Sequence, residues 1–193
     1  MRKILVSMWT TLDGLVAGPN DEMNWVRGDD EMMAYEQSFV EAADTLMLGR
    51  KTFGDFAGHF PGVAKDTEPK TGTDEMQRGY ARRVDVMKKI VVSASGNVAE
   101  WRNSQVLSKL DGEEIGRLKN ARGGDIVMYG SLSVIDALRK LGLIDEYQLL
   151  VHPIVLGNGR PLFDRTRPVN LELQSVKPFK SGVTLMRFRP GEA

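Results

Sequence analysis

The sequence predicts an α/β fold with a mainly parallel central sheet and an antiparallel hairpin at its C-terminal end. Three observations carry that expectation. Residues 125–150 read as strand, glycine turn, helix and strand: Ile126, Val127, Met128 and Tyr129 form an apolar run without polar alternation, as a parallel strand covered on both faces does, and Gly130 breaks it. The same order appears earlier with two cations at the turn, where residues 44–48 run into Gly49-Arg50-Lys51-Thr52-Phe53. Near the end, residues 171–176 and 183–188 flank 177–182 with partial alternation, the pattern of a hairpin. Strands separated by helices early and a hairpin late fit one sheet, parallel in its body and antiparallel at an edge. The 193 residues suit a single domain, 1–193.

Taken in order, residues 4–8 form a buried first strand, and Asp13-Gly14 and Gly18-Pro19-Asn20 are turn signals leading out of it. Trp25 sits in a polar surround. Asp29 or Asp30 caps a helix whose inner face carries Met33, Phe39, Val40 and Ala43. A second short strand spans 44–48. Residues 56–72, rich in Gly, Pro and Lys and without a clear period, read as the longest loop, either an inert surface insertion or a flap. Residues 74–86 form a charged amphipathic helix with Met76, Tyr80, Val84 and Met87 on one side. Residues 89–92 are a third buried strand ending in Ser93, and 106–107 a short one. Asp111 caps a helix over 112–120. In the unit that follows, Ser131 and Ser133 are both N-cap candidates, and Ser133 with Asp136 fits a capping box. The buried stripe there is Val134, Ile135, Leu138 and Leu141, and Gly142 closes the helix in the left-handed conformation before a strand over 147–151. A glycine turn of this kind is either a plain structural connection or an anion site. It leaves unpaired N–H groups at a helix N-terminus, where the macrodipole favours a cofactor phosphate.

Composition excludes several functions. Lys+Arg and Asp+Glu each number 26, the net charge is zero, and neither half carries a long basic block, so no nucleic-acid partner is expected. With no cysteine, disulfides, thiol nucleophiles and thiolate metal sites are ruled out. The two histidines, His59 and His152, are too few for a multi-histidine centre, so no metal is expected. Met1-Arg2-Lys3 ahead of residues 4–9 superficially resembles a secretion signal. The apolar run is short, however, and ends in Thr10, Thr11 and Asp13 without a small-residue cleavage site. No segment is long enough to span a membrane, and a cytoplasmic protein is expected.

The turns that follow the buried strands share a pattern. Thr11-x-Asp13-Gly14, then Leu48-Gly49-Arg50-Lys51-Thr52-Phe53, then Val91-Val92-Ser93, then Tyr129-Gly130-Ser131 together resemble the dihydrofolate-reductase-like superfold, a three-layer α/β/α architecture. Within it, Gly142-Leu143-Ile144-Asp145-Glu146 followed by Pro153-x-Val155-Leu156-Gly157-x-Gly159-x-Pro161-Leu162-Phe163 is similar to the C-terminal reductase domain of the bifunctional riboflavin-biosynthesis deaminase/reductase. A zinc deaminase half would need His-x-Glu and Pro-Cys-x-x-Cys. Without cysteine the chain resembles a free-standing reductase domain.

The resemblance implies NADPH as cofactor. Arg50, with Lys51 beside it, would hold the adenosine 2′-phosphate; Gly49 belongs to the same turn, and Thr52 would bond the pyrophosphate. Ser93 would border the adenosine ribose, and Gly130, Ser131 and Leu132 would pass their backbone against the pyrophosphate. Dihydrofolate reductases proper carry a Gly-Gly pair where this chain has Gly130-Ser131. Asp13 and Asp30 are the implied proton-side groups. Trp25 followed by Asp30 parallels the tryptophan and carboxylate of dihydrofolate reductases, and Asp13 matches the Asp-Gly turn of the riboflavin type. Each also has a structural reading, Asp30 as a helix cap and Asp13 as a turn residue bonding its own backbone. The substrate pocket is expected around Asp13, Trp25 and Gly157.

The implied reaction is hydride transfer to a small heterocyclic or carbonyl substrate, similar to that of 5-amino-6-(5-phosphoribosylamino)uracil reductase. Such chemistry needs no Ser, Cys or His nucleophile. Dihydrofolate reduction and a non-catalytic small-molecule binding protein are the alternatives. A homodimer is expected from the apolar C-terminal strands and from the habit of related domains.

Overall fold

The computed structural model describes residues 1–163 and 168–191; residues 164–167 and 192–193 of the expected domain 1–193 lie outside the described residues. The chain runs β1 (Ile4–Thr11), β2 (Leu15–Ala17), α1 (Asp30–Glu41), β3 (Ala43–Gly49), α2 (Arg50–Lys65), α3 (Gly72–Val86), β4 (Lys88–Val92) and β5 (Ser104–Leu107). It continues through α4 (Gly112–Asn120), β6 (Asp125–Met128), α5 (Leu132–Lys140), β7 (Glu146–His152), β8 (Arg160–Pro161), β9 (Leu171–Pro178) and β10 (Thr184–Pro190). Eight strands form one sheet in the order β5-β4-β3-β6-β1-β7-β10-β9. Every pairing from β5 to β7 is parallel, and β7-β10 and β10-β9 are antiparallel, as the sequence predicts.

Period-two alternation divides each central strand between two cores. Ile4, Val6, Met8, Met47, Ile126 and Met128 face Ile115 of α4 and Val134, Ile135 and Leu138 of α5. Leu5, Leu46, Leu48, Val91 and Val127 face Phe39 and Val40 of α1, Phe53 of α2, and Tyr80 and Val84 of α3. Because both faces are covered, neither side of these strands needs polar residues, and the apolar runs follow. The result is the expected three layers, α/β/α.

Several local expectations hold. Asp29 caps α1 through a 2.8 Å bond from Met32 N–H, so Asp30 is the first helical residue, and Asp111 caps α4 through Glu114 N–H at 2.8 Å. Gly142, at φ +66°, follows the end of α5.

Others are corrected. Most of the expected loop 56–72 is helical: α2 continues to Lys65 through Pro61, and only residues 66–71 separate it from α3. Phe53, Phe56, Ala57 and Phe60 recur at helical spacing and pack on the second core, and this burial outweighs the weak propensity of Gly54, Gly58, Pro61 and Gly62. The Ser133–Asp136 capping box does not form. Ser131 occupies the N-cap in a left-handed conformation, and Asp136 instead pairs at 2.6 Å with both Arg139 and Lys140. Leu141 is 46% exposed and lies outside the stripe. A pair of short strands that the sequence did not announce, β2 and β8, forms a separate antiparallel ribbon. Gly159, at φ +155°, lets that ribbon close, because a side chain there would collide with the Ala17 carbonyl.

Candidate functional site

Adjacent strands β3 and β6 send their following helices to opposite faces of the sheet, α2 to one and α5 to the other. A crevice must open at their C-terminal ends, which is where open α/β sheets bind ligands. A cleft of about 1330 Å³ occupies this place. That exceeds the roughly 300–1000 Å³ of an ordinary small-molecule pocket, so it has room for two partners.

One end of the cleft is a polar cradle. The turns after β3 and β6 are laced together: Gly49 N–H donates to Ser131 Oγ at 2.8 Å, and Ser131 N–H donates to Thr52 Oγ1 at 3.1 Å. Gly130 has φ +53°, and a Cβ there would sit 2.9 Å from Thr52 Oγ1, so position 130 requires glycine on both counts. Among the described helices, α2 and α5 have neither a side-chain cap nor an acid in the first turn, whereas α1 and α4 have both and α3 begins with Asp74 and Glu75. Both bare N-termini open into the cleft, where their N–H groups and dipoles suit a bound anion. Arg50 is exposed there and makes no ion pair among the described residues. Lys51 pairs with Asp21 at 2.7 Å and Arg160 with the same carboxylate at 2.5 Å, which ties the chain after β2 and the start of β8 to the first turn of α2. The Lys51 hydrogen bond, chiefly, holds the Asp21 carboxyl below its usual range. These groups fit the phosphates of a dinucleotide.

The other end is apolar and aromatic. Phe56 and Phe60 of α2, Tyr80 of α3 and Tyr129 after β6 form a continuous wall, with ring centroids 4.8 Å apart for Phe56–Phe60 and 5.6 Å for Phe60–Tyr80. A buried carboxyl, Glu36, only 3% exposed, also lines the cleft. It projects from α1 on the same stripe as Met32, Phe39 and Val40. Trp9 Nε1 donates to Oε1 at 3.2 Å, and no other hydrogen bond to this carboxyl exists among the described residues. Burial pushes the Glu36 carboxyl up to about 7, so it exchanges a proton near neutrality. Burial also raises the Tyr80 and Tyr129 phenols, which therefore stay neutral, and the two buried hydroxyls influence each other's ionisation.

The structure brings together Gly49, Arg50, Lys51, Thr52, Ser93, Gly130, Ser131 and Leu132, all of which line the cleft. It does not bring Asp13, Asp30, Trp25 or Gly157 there. Asp13 is a staple: its Oδ1 accepts from Thr11 Oγ1 at 2.5 Å and its Oδ2 from Gly157 N–H at 2.8 Å. Those bonds, with Thr11 the largest influence, lower its carboxyl and tie the end of β1 to the Gly157 turn. Asp30 accepts from the Thr73 hydroxyl, linking the start of α1 to α3 on the surface. Trp25 is buried edge-on against His152, 5.1 Å between centroids, and both imidazole nitrogens lie 3.0 Å from backbone carbonyls of Leu150 and Arg27. Glu36, Trp9, Tyr80 and Tyr129 were not singled out as site residues by the sequence. The signal for Glu36 was an acid on the apolar stripe of an amphipathic helix. Among the described residues no group of three or more metal-ligating side chains is placed to hold an ion, and no helix is long and apolar enough to cross a membrane.

The family model described as RibD C-terminal domain matches residues 2–185. The uncharacterized protein YyaP of Bacillus subtilis (strain 168) is 35% identical over 187 residues, covering 94% of this chain and 92% of that one. Among solved structures, a Shewanella sp. PV-4 protein whose name refers it to riboflavin biosynthesis superposes with a TM-score of 0.73 at 20% identity, covering 98% and 99% of the two chains. The diaminohydroxyphosphoribosylaminopyrimidine deaminase/5-amino-6-(5-phosphoribosylamino)uracil reductase of Thermotoga maritima superposes with a TM-score of 0.66 at 13% identity, covering 98% of this chain and 57% of the larger one. The architecture is the dihydrofolate-reductase-like one.

Proposed function

The chain belongs to the RibD C-terminal domain family, and on that premise we propose that it is an NADPH-dependent reductase of a small heterocyclic or carbonyl compound. The observation that carries this reading is the continuity of a single cleft lined both by a phosphate-sized polar cradle and by a buried, near-neutral carboxyl. Bound NADPH supplies a hydride to the carbon of a C=N or C=O bond, while a proton must reach the heteroatom.

The chain's own residues do the rest. Arg50 forks around the adenosine 2′-phosphate with Lys51 beside it, and Ser93 borders the adenosine side. The backbone of Gly130, Ser131 and Leu132, with Thr52, receives the pyrophosphate at the two uncapped helix starts. The wall formed by Phe56, Phe60, Tyr80 and Tyr129 excludes water from the reacting end. Glu36 orients the substrate and is the group that holds its proton, replacing Asp13 and Asp30 in that role. A value near 7 suits a residue that must both take and give a proton at neutral pH.

We further propose a cytoplasmic homodimer that acts on a small molecule, without a nucleic-acid or membrane partner. Support comes from the zero net charge and the exposed apolar C-terminal strands.

Titration with NADPH and NADH, followed by nucleotide fluorescence, tests the reading. Saturable binding with a preference for NADPH is expected, and no binding of either nucleotide overturns it.

A further inference from the structure

Helices α1, α3 and α4 each carry acids in their own first turn, where the helix dipole favours them: Asp30 and Glu31, Asp74 and Glu75, Glu113 and Glu114. Helix α2 has none, yet an acid meets it there from another element. Asp21, in the turn after β2, places Oδ2 2.7 Å from Lys51 Nζ and Oδ1 2.5 Å from the Arg160 guanidinium. Among the described residues, the Lys and Arg side chains lining the cleft are Arg50, Lys51 and Arg160, and His59 adds an imidazole. One carboxylate thus engages Lys51 and Arg160 together, and Arg50 stays open.

These pairs are not what holds the segment in place. Strands β2 and β8 are joined by their own ladder, and Leu162 N–H donates to the Gly14 carbonyl at 3.0 Å. The turn 18–22 closes on itself, Gly18 N–H donating to the Glu22 carbonyl at 2.9 Å and Asp21 N–H to the Gly18 carbonyl at 3.1 Å. The three paired side chains are 41–68% exposed, and ion pairs in such surroundings contribute little to stability. What the turn achieves is to present a carboxylate, held at φ +64°, to the cleft beside the cations. The Lys51 hydrogen bond, chiefly, keeps that carboxyl below its usual range, so it stays charged at neutral pH. A phosphate entering the cradle meets cations already engaged and a like charge beside them. The pairs are weak enough to yield to it, but the carboxylate opposes its entry.

We propose that Asp21 is an internal stand-in for a nucleotide phosphate: it occupies Lys51 and Arg160 in the free protein, is displaced on binding, and so limits how strongly the cleft prefers a nucleotide carrying a 2′-phosphate. The proposal rests on the NADPH reading of the cleft and deepens it, by naming a residue that sets selectivity from outside the glycine turns. Arg50, which no carboxylate engages among the described residues, supplies the basal preference. Lys51, beside it at the start of α2, adds to that preference only once Asp21 has let go.

Two variants of the intact protein provide the test. Asp21→Asn removes the charge at nearly constant shape, and Asp21→Gly removes the side chain at a backbone position that suits glycine. Each is titrated with NADPH and NADH by nucleotide fluorescence, and with 2′,5′-ADP and 5′-AMP by calorimetry, at low and at high salt. Both variants should bind NADPH and 2′,5′-ADP roughly three- to ten-fold tighter than the natural protein at low salt, with a smaller gain for NADH and 5′-AMP. High salt should shrink the gain, and so should Lys51→Met placed in the same background. Equal or weaker binding of the 2′-phosphorylated ligands by both variants overturns the proposal. A gain that is the same for all four ligands, or that survives Lys51→Met undiminished, also overturns it, since Asp21 then acts as a general surface charge and not as an occupant of Lys51. The natural protein separates this idea from the one beneath it. If it binds NADPH and neither variant gains, the role of Asp21 alone fails, whereas absence of NADPH and 2′,5′-ADP binding in all three proteins sinks the nucleotide reading itself.

Discussion

Glu36 carries a stability consequence that the surface acids do not. Its carboxyl titrates near 7 in the fold against 4.5 for the ordinary group, because burial disfavours the charged form. The folded chain therefore binds this proton more tightly than the unfolded chain. Its contribution is fully present below the unfolded value and is lost as pH rises through about 7. Glu36→Gln removes that dependence, so the variant should gain on the natural protein between pH 4.5 and 7, by up to about 3 kcal/mol above that range, read from urea unfolding at several pH values. The same substitution should lower turnover roughly 10²-fold. Asp13→Asn and Asp30→Asn should change turnover only a few-fold, since neither carboxyl lines the cleft. Arg50→Ala should weaken NADPH at least about ten-fold while sparing NADH, measured by fluorescence titration. The sequence showed the residues of the polar cradle because glycine turns and paired cations are local signals. It did not show Glu36 as a site residue, because only the packing of α1 over β1 brings that carboxyl to Trp9 and turns an acid on a helix into a buried one.

Elements were legible where one period dominated and illegible where composition opposed packing. The strands of the parallel body and the capped helix α4 follow from runs and caps within a few residues of each other. Helix α2 does not, because Gly54, Gly58, Pro61 and Gly62 imitate a loop while Phe53, Phe56 and Phe60 supply its buried stripe from farther apart. This gives a direct test of the correction. A methyl group at Gly58 would meet nothing within 4 Å, so Gly58→Ala should stabilise the protein by about 0.5–1 kcal/mol if the residue lies in a helix interior, and an unchanged denaturation midpoint would restore the loop reading. The turn after β6 predicts the opposite sign. Gly130→Ala forces a side chain into a left-handed position against Thr52, costing roughly 1–2 kcal/mol in backbone strain alone, and it should lower both the melting temperature and NADPH affinity.

At the scale of the molecule, the sheet divides its labour. The parallel strands β1, β3, β4 and β6 build the cleft with their C-terminal ends, while the antiparallel strands β10 and β9 extend the sheet beyond β7 and contribute nothing to it. Their alignment sets Leu149, Met186 and Val176 in one row across the sheet and Tyr147, Phe188 and Leu173 in the next, on the same face. At the inner ends Tyr147 is buried and Leu149 half-buried, but Leu173 is 53% and Val176 51% exposed. The apolar rows therefore run uncovered towards an unpaired edge strand, an arrangement that monomeric proteins usually interrupt with charge. A second copy laid across this face would bury both rows by symmetry, since an isologous contact repeats the same patch on each partner. Sedimentation at micromolar concentration should accordingly show a dimer. Leu173→Glu combined with Val176→Lys should convert it to a monomer whose NADPH affinity is unchanged, because the cleft lies several strands away. A natural chain that sediments as a monomer would refute the dimer and leave the site untouched, whereas a double variant that loses nucleotide binding together with dimerisation would show that the cleft needs its partner to hold its shape.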